Sequence, residues 1–157
     1  MGKLYRIVFS ICFLFSLVAC QTIPLSEQNT IHPDHQWNSA KPEKYFFNIT
    51  DTNQLYKIIF VIRHHNAYHY KNIWVELNHS SAGEKAQTET FNLNLADDQK
   101  GWLGTGMDDI YDQRIPLYSK PVKLNYGIHT FTIKHTMRED PLQNILSTGI
   151  RIEKAAL

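Results

Sequence analysis

The segment RHHNAYHYKNIW, residues 63–74, holds three histidines and two tyrosines, and histidine is the side chain that most often binds metals or moves protons near neutral pH. His65 and His69 are four residues apart, which on a helix would place two zinc ligands on one face. However, the apolar residues before and after them recur at every second position, which predicts a strand–loop–strand unit. We therefore favour an exposed hairpin end over a metal site. The residues expected to contact a partner or ligand there are His65, Tyr68 and Tyr70.

A second candidate contact lies in the glycine-rich segment GWLGTG, residues 101–106. It is not a phosphate-binding loop, because no Lys-Ser/Thr pair follows and no helical pattern opens after it. Trp102 either folds back onto the core or protrudes as a binding contact, and we favour the first because burial removes a large apolar area from water. A protruding Trp102, together with Trp74 and the tyrosines, would instead suit stacking on a carbohydrate.

Other patterns that suggest chemistry are weak. Five aspartates flank the glycine-rich segment: Asp97, Asp98, Asp108, Asp109 and Asp112. Their spacing does not match an EF-hand, so solvated turn residues are favoured over a calcium site. Serine, histidine and aspartate are all present, but no Gly-x-Ser-x-Gly elbow occurs. We therefore predict no catalytic residue, no cofactor and no enzymatic activity.

The N-terminus predicts export. Lys3 and Arg6 precede an apolar run, residues 7–19, that is shorter than the roughly 20 residues needed to cross a bilayer and is typical of a secretory signal. The run ends in Leu-Val-Ala-Cys, which resembles the lipobox of bacterial lipoproteins. That resemblance implies that a diacylglycerol is attached to the sulfur of Cys20 and that residues 1–19 are removed. A diacyl anchor would fix the protein to a membrane permanently.

Cysteine content and charge exclude several classes of function. Cys12 leaves with the signal and Cys20 is capped by lipid, so the mature chain has no free thiol and no disulfide. Two of the 16 basic side chains also leave, so 14 remain against 15 acidic ones and the net charge is near −1. This balance argues against a nucleic-acid partner and against polybasic attraction to a membrane.

The rest of the chain has the pattern of a β-rich domain. Residues 20–36 are polar, with two prolines and no apolar period, and predict a flexible tether to a domain at 37–157. Leu55–Arg63 is apolar on both faces, as expected of a central strand. Asp140-Pro141 predicts the start of one or two helical turns.

Short runs with alternating apolar residues, separated by turn residues, predict about seven to eight strands. The expected fold is all-β, a single antiparallel β-sandwich of Ig-like or jelly-roll-like type, with one short helical turn near the C-terminus.

Four segments in this order resemble the gliding-motility lipoprotein H family (GldH) of Bacteroidetes. They are FFNITDTNQLYKIIFVIRHHNAYHYKNIWVEL (46–77), LADDQKGWLGTG (95–106), GIHTFTIKHTMREDPL (127–142) and STGIRIE (147–153). The resemblance extends from about residue 37 to residue 153 and is reinforced by the lipobox. It implies a cell-envelope lipoprotein that is needed for gliding motility, tied to the type IX secretion machinery, and without an enzymatic reaction.

From these observations we expect a lipid-anchored, non-enzymatic interaction or scaffold component. Its partners would be the membrane, through Cys20, and other gliding or secretion proteins of the envelope. Gln21 follows Cys20, in place of the aspartate associated with inner-membrane retention in some bacteria, which favours the outer membrane and the periplasmic side. The alternative is a lipid-tethered carbohydrate-binding module that contacts glycan through Trp102 and Trp74.

Overall fold

The computed structural model describes residues 25–155, so the predicted signal peptide and Cys20 lie outside the described residues. The described part contains strands, turns and bends, and it has no helix that could cross a membrane. Its strands in chain order are β1 (Leu25–Ile31), β2 (Gln36–Trp37), β3 (Glu43–Ile49), β4 (Leu55–His65), β5 (Asn72–Ser81), β6 (Gln87–Asn94), β7 (Ala96–Asp97), β8 (Gly101–Trp102), β9 (Thr105–Met107), β10 (Ile110–Pro116), β11 (Val122–Lys123), β12 (Gly127–His135), β13 (Leu142–Gln143) and β14 (Ile145–Lys154).

The strands form two antiparallel sheets that pack as a sandwich. The first sheet has the order β1-β14-β4-β10-β9, and β11 pairs with the start of β4. The second sheet has the order β3-β12-β5-β6, and two small ribbons, β13-β2 and β7-β8, flank the main sheets. Eight strands have seven residues or more. The prediction of an antiparallel sandwich with seven to eight strands is therefore confirmed.

The core lies between the sheets and consists of the side chains that alternate inward along each strand. Phe60 and Ile62 of β4 and Phe131 and Ile133 of β12 are all fully buried. Trp37 closes the core near β13 and stacks on Phe60, with ring centroids 6.3 Å apart. At about 25 cal/mol per Å² of buried apolar surface, such a core can hold the fold together.

The prediction that β4 is covered on both faces is also confirmed. On its outer face, Ile59 and Val61 are only 5% exposed. Their neighbours in register include Arg151 of β14 and Arg114 of β10. Both guanidinium groups reach Glu27 of β1, at 3.6 and 3.1 Å, so long side chains run across this face. The aliphatic parts of such side chains can shield apolar residues beneath them.

The predicted tether is wrong over residues 25–31, which form β1 and pair along their whole length with β14. Sequence reasoning missed β1 because it is an edge strand with few apolar residues. Backbone hydrogen bonds and polar side chains hold it instead, and Thr30 Oγ1, for example, lies within hydrogen-bond distance of Tyr45 Oη, at 3.1 Å. The folded domain therefore includes residue 25 rather than starting at residue 37.

The predicted helical turn after Asp140 is also wrong, because Leu142–Gln143 form β13. The Asp140 carboxylate does not cap a helix but accepts hydrogen bonds from the backbone N–H and the hydroxyl of Ser39. Leu142 is fully buried opposite Trp37, so its burial and the pairing with β2 impose an extended backbone.

Gln28 joins the two sheets at the edge where β1 and β3 approach each other. Its side-chain amide donates to the carbonyl oxygen of Phe46 at 2.6 Å and accepts from the Phe46 N–H at 3.1 Å. β3 is the edge strand of the second sheet, so this amide occupies backbone groups that would otherwise face a neighbouring strand.

Candidate functional site

The two segments singled out in the sequence meet at one end of the sandwich. The β4–β5 connection places Tyr68 near Trp102, with ring centroids 6.2 Å apart, and the His64 ring lies 4.7 Å from Trp102. Tyr111 of β10 completes an aromatic cluster of four rings: His64, Tyr68, Trp102 and Tyr111. Trp102 is partly buried and packs against the core, which is the arrangement favoured from the sequence.

His64 is a structural member of this cluster. Its ring is fully buried, and Nδ1 lies 3.1 Å from the carbonyl oxygen of His65, so Nδ1 carries the proton and donates it. Nε2 then accepts from the side-chain amide of Gln113 at 3.3 Å, and the same amide donates to Leu95 O at 2.8 Å. Burial lowers the pKa of His64, which keeps the ring neutral. A second proton on the ring would meet the Gln113 amide hydrogens.

His65 and His69 do not converge. His65 Nε2 lies 3.8 Å from an Asp109 oxygen, and His69 Nδ1 lies 3.4 Å from a Glu139 oxygen. Each ring therefore faces a different carboxylate. Within residues 25–155, no three metal-binding side chains come together as a possible ion site.

Four of the five aspartates near the glycine-rich segment, Asp97, Asp98, Asp109 and Asp112, also have separate partners. Asp112 binds Arg63 through two hydrogen bonds of 2.8 and 2.9 Å, and Asp98 pairs with Lys71. Asp97 accepts from two backbone N–H groups of its own turn. Carboxylates with such different partners are turn and ion-pair residues.

An open cavity of about 470 Å³ lies beside the aromatic cluster. We call it the Trp74 cavity, and its lining residues are Tyr70, Asn72, Trp74, Thr136, Met137 and Arg138. Ile73 and Val75 point into the core, so the alternation of β5 turns the Trp74 ring outward, where it is 43% exposed. The Tyr70 ring lies 5.7 Å from Tyr68 and so connects the cavity to the cluster.

The β12–β13 connection holds the other wall of the Trp74 cavity in place. The Trp74 N–H donates to the sulfur of Met137 at 3.3 Å, and the Thr136 N–H donates to Trp74 O at 2.9 Å. A hydrogen bond with Glu139 raises the pKa of Tyr70, so that hydroxyl stays protonated. Arg138 is exposed and makes no ion pair with any residue of the described range.

The composition of the cavity is typical of a protein-binding surface. Its apolar contact area comes from Trp74, Tyr70 and Met137, and its one charged group is the Arg138 guanidinium. Tryptophan, tyrosine, methionine and arginine are the residue types enriched at protein interfaces. Sequence reasoning found Trp74 and Tyr70 but missed Met137 and Arg138. No spacing rule relates them, because Met137 and Trp74 are 63 residues apart.

A second polar cluster lies between the sheets. The Glu43 side chain is only 8% exposed and accepts hydrogen bonds from Tyr45 Oη at 2.5 Å and Thr148 Oγ1 at 2.7 Å, and it lies 3.3 Å from His32 Nε2. Burial raises the pKa of Glu43 and lowers the pKa of His32. These residues come from β3, β14 and the β1–β2 connection, so the cluster ties the two sheets together.

Comparison with known proteins agrees with the resemblance seen in the sequence. The family model described as GldH lipoprotein matches residues 25–152. A protein of Christiangramia forsetii, named gliding motility lipoprotein GldH homolog, is 24% identical over 129 residues, which covers 77% of this chain and 79% of that protein. No solved structure matches the chain.

Proposed function

Since the chain belongs to the GldH lipoprotein family and is thus a gliding-motility lipoprotein anchored in the cell envelope, we propose that it works without catalysis, as a scaffold component associated with the type IX secretion machinery. Its role in this proposal is to bind another envelope protein. The surface that makes this contact is the Trp74 cavity.

The observation that carries the proposal is the exposed Trp74 ring next to Met137 and to Arg138, which makes no ion pair within residues 25–155. The Trp74 ring is 43% exposed, and a partner that covers it removes apolar surface from water, which favours binding. The guanidinium group would then bind a carboxylate or backbone carbonyl of the partner. A few such residues usually carry most of the affinity of a protein interface.

The anchor in this proposal is lipid on Cys20. Four residues separate it from Leu25, the first residue of β1, so the sandwich stays close to the membrane. Gln21 after the lipidated cysteine supports the outer membrane, with the domain on the periplasmic side.

The carbohydrate-binding alternative is weakened at Trp102. A sugar-stacking ring must offer a free face, but Trp102 packs among His64, Tyr68 and Tyr111. Trp74 is the remaining exposed tryptophan of the described residues. Glycan binding at the Trp74 cavity is therefore the second candidate function.

The test uses a gliding host in which the chromosomal gene carries Trp74→Ala or Arg138→Ala. We expect colony spreading to be lost while the protein remains at its normal level on immunoblots. Phe46→Ala is the matched control, because Phe46 is 55% exposed on the same sheet but outside the cavity. Normal spreading of a strain with both cavity substitutions would refute the assigned surface. Normal spreading and normal type IX secretion after gene deletion would refute the scaffold role itself.

Photo-cross-linking identifies the class of partner. A photoreactive residue at Tyr70 in living cells should capture one defined envelope protein, and capture should be lost when Arg138→Ala is added. The same probe at position 46 should not capture it. If the purified domain instead binds glycans on an array and loses them with Trp74→Ala, the partner is a carbohydrate and the scaffold proposal is wrong.

A further inference from the structure

The chain enters the sandwich at one defined end. Leu25, the first residue of β1, is opposite Glu153, and the next residue of β14, Lys154, is opposite Tyr56 near the start of β4. We call this the anchor end, and it comprises residues 50–57, 82–86, 117–128 and 153–155. Because a fully extended chain spans at most about 3.6 Å per residue, Cys20 lies within roughly 18 Å of Leu25. A lipid on Cys20 would therefore hold the anchor end close to the bilayer.

The anchor end exposes large apolar side chains. Leu55 is 48% exposed, Tyr126 is 73% exposed and Ile128 is 60% exposed. Leu55 lies at the start of β4, and Tyr126 lies in the connection that leads to β12. Tyrosine is enriched at membrane–water interfaces, where its ring enters the apolar boundary and its hydroxyl stays hydrated. Side chains of this kind suit a lipid surface better than bulk water.

The charges of the sandwich are also distributed unevenly between its two ends. The anchor end carries five lysines and three carboxylates. They are Lys57, Lys85, Lys120, Lys123 and Lys154, with Asp51, Glu84 and Glu153. The opposite end, formed by residues 32–42, 66–71, 95–109 and 136–144, carries seven carboxylates and four lysine or arginine residues.

Because of this asymmetry, one end of the domain can be attracted to an anionic membrane although the net charge is near zero. The mature chain is near neutral overall, which argued against attraction to a membrane, but that total averages an excess of lysine at one end and of carboxylate at the other. Lys85, Lys120 and Lys123 are exposed and make no ion pair with any residue from 25 to 155. Such lysines are available for lipid phosphates, and the field of an anionic leaflet acts over about 8–10 Å.

We propose that the anchor end is a second, noncovalent membrane contact, in which Tyr126 enters the headgroup region of a phospholipid leaflet. Leu55 and Ile128 flank it on the outer faces of the first and second sheets, and the lysines without an ion pair in residues 25–155 face the phosphates. This inference rests on the proposed lipid at Cys20, which brings the end to the surface. The contact fixes the orientation of the domain. Since β4 has 11 residues and a strand rises about 3.3 Å per residue, the opposite end with the Trp74 cavity points away from the membrane at a height of roughly 33 Å.

The experiment measures the depth of single labelled positions in the full mature lipoprotein. Once the signal is removed, Cys20 is the only native cysteine and its sulfur is blocked by lipid, so an introduced cysteine takes an environment-sensitive fluorophore selectively. The protein is reconstituted in vesicles of phosphatidylethanolamine and phosphatidylglycerol. We expect the label on Tyr126→Cys to shift its emission to the blue and to be quenched by brominated lipids. Asn66→Cys, exposed at the opposite end, is the matched control and should show neither change.

A second measurement tests the charges. Lys120→Glu combined with Lys123→Glu should reduce the quenching at position 126 in vesicles that contain phosphatidylglycerol, whereas Lys100→Glu at the opposite end should not. Equal emission and quenching at positions 126 and 66 would overturn the inference. An intact mass without lipid on Cys20 would instead refute the proposed anchor. A lipidated protein whose label at position 126 stays in water refutes the membrane contact alone.

Discussion

Acidification should destabilise this domain well above the pH at which carboxylates titrate. The pKa values of four histidines, His32, His64, His79 and His135, are all lowered, and burial is the largest cause in each case. The folded state therefore keeps these rings neutral, while the unfolded chain binds protons below about pH 6.5, the ordinary histidine pKa. Unfolding takes up protons in this range, so the free energy of unfolding should fall as the pH falls.

The expected magnitude follows from proton counting. Each histidine that is neutral when folded and charged when unfolded contributes up to about 1.4 kcal/mol per pH unit. Glu43 acts in the opposite direction, because burial raises its pKa and the folded state gains its proton first. One carboxyl group does not cancel four histidines, so we expect a net loss, and the net uptake of one proton on unfolding corresponds to about 1.4 kcal/mol per pH unit. For a domain of this size that lowers the melting temperature by roughly 5 °C per pH unit.

The assay is thermal and urea unfolding of the mature domain, followed by circular dichroism, between about pH 7.5 and about pH 5.5. The variant His64→Asn can still donate to the His65 carbonyl but cannot bind a proton, so its pH slope should be shallower by up to about 1.4 kcal/mol per pH unit. His69→Gln is the matched control, because it replaces a histidine whose side chain is 60% exposed, and it should keep the wild-type slope. Constant stability across this pH range would show that the reasoning is wrong.

Three further substitutions test the packing. Gln28→Ala should cost about 1–2 kcal/mol in urea unfolding, because both hydrogen bonds to the Phe46 backbone are lost, and Gln28→Glu should restore only part, since a carboxylate cannot donate. Gly149→Ala should cost about 1–3 kcal/mol and speed amide exchange in β1, because a Cβ there would overlap the Gln28 carbonyl. Trp102→Ala should cost about 3 kcal/mol, whereas Trp74→Ala should cost less than about 1 kcal/mol. Equal losses at both tryptophans would contradict their different packing.

Periodicity predicted the parts of the fold in which apolar side chains carry the energy. β5 alternates clearly and β4 is apolar on both faces, and both strands supply buried side chains to the core as expected. β1 was not predictable in this way, because an edge strand held by its backbone ladder and by Gln28 leaves no apolar period. The segment after Asp140 has the local signature of a helix start, but burial of Leu142 against a distant residue overrides that signature.

The candidate site was predictable only in part. Trp74 and Tyr70 stood out because aromatic rings at a hairpin end are conspicuous in a sequence. Met137 and Arg138 lie in a connection with no pattern of its own, and they join the cavity only because β12 pairs with β5. His65 and His69 had a suggestive spacing that a strand–loop–strand geometry cannot use. Contacts between remote segments follow from topology rather than from local composition.

The amide of Gln28 has a consequence for a protein confined to a leaflet. Confinement to two dimensions raises the rate at which identical domains collide side by side. An open strand edge would then let strands of different copies pair into an extended sheet. Because the Gln28 side chain already bonds the Phe46 N–H and carbonyl, these two groups in the middle of β3 are not available to a strand of another copy. A second copy could pair with this part of β3 only after displacing the Gln28 amide from Phe46.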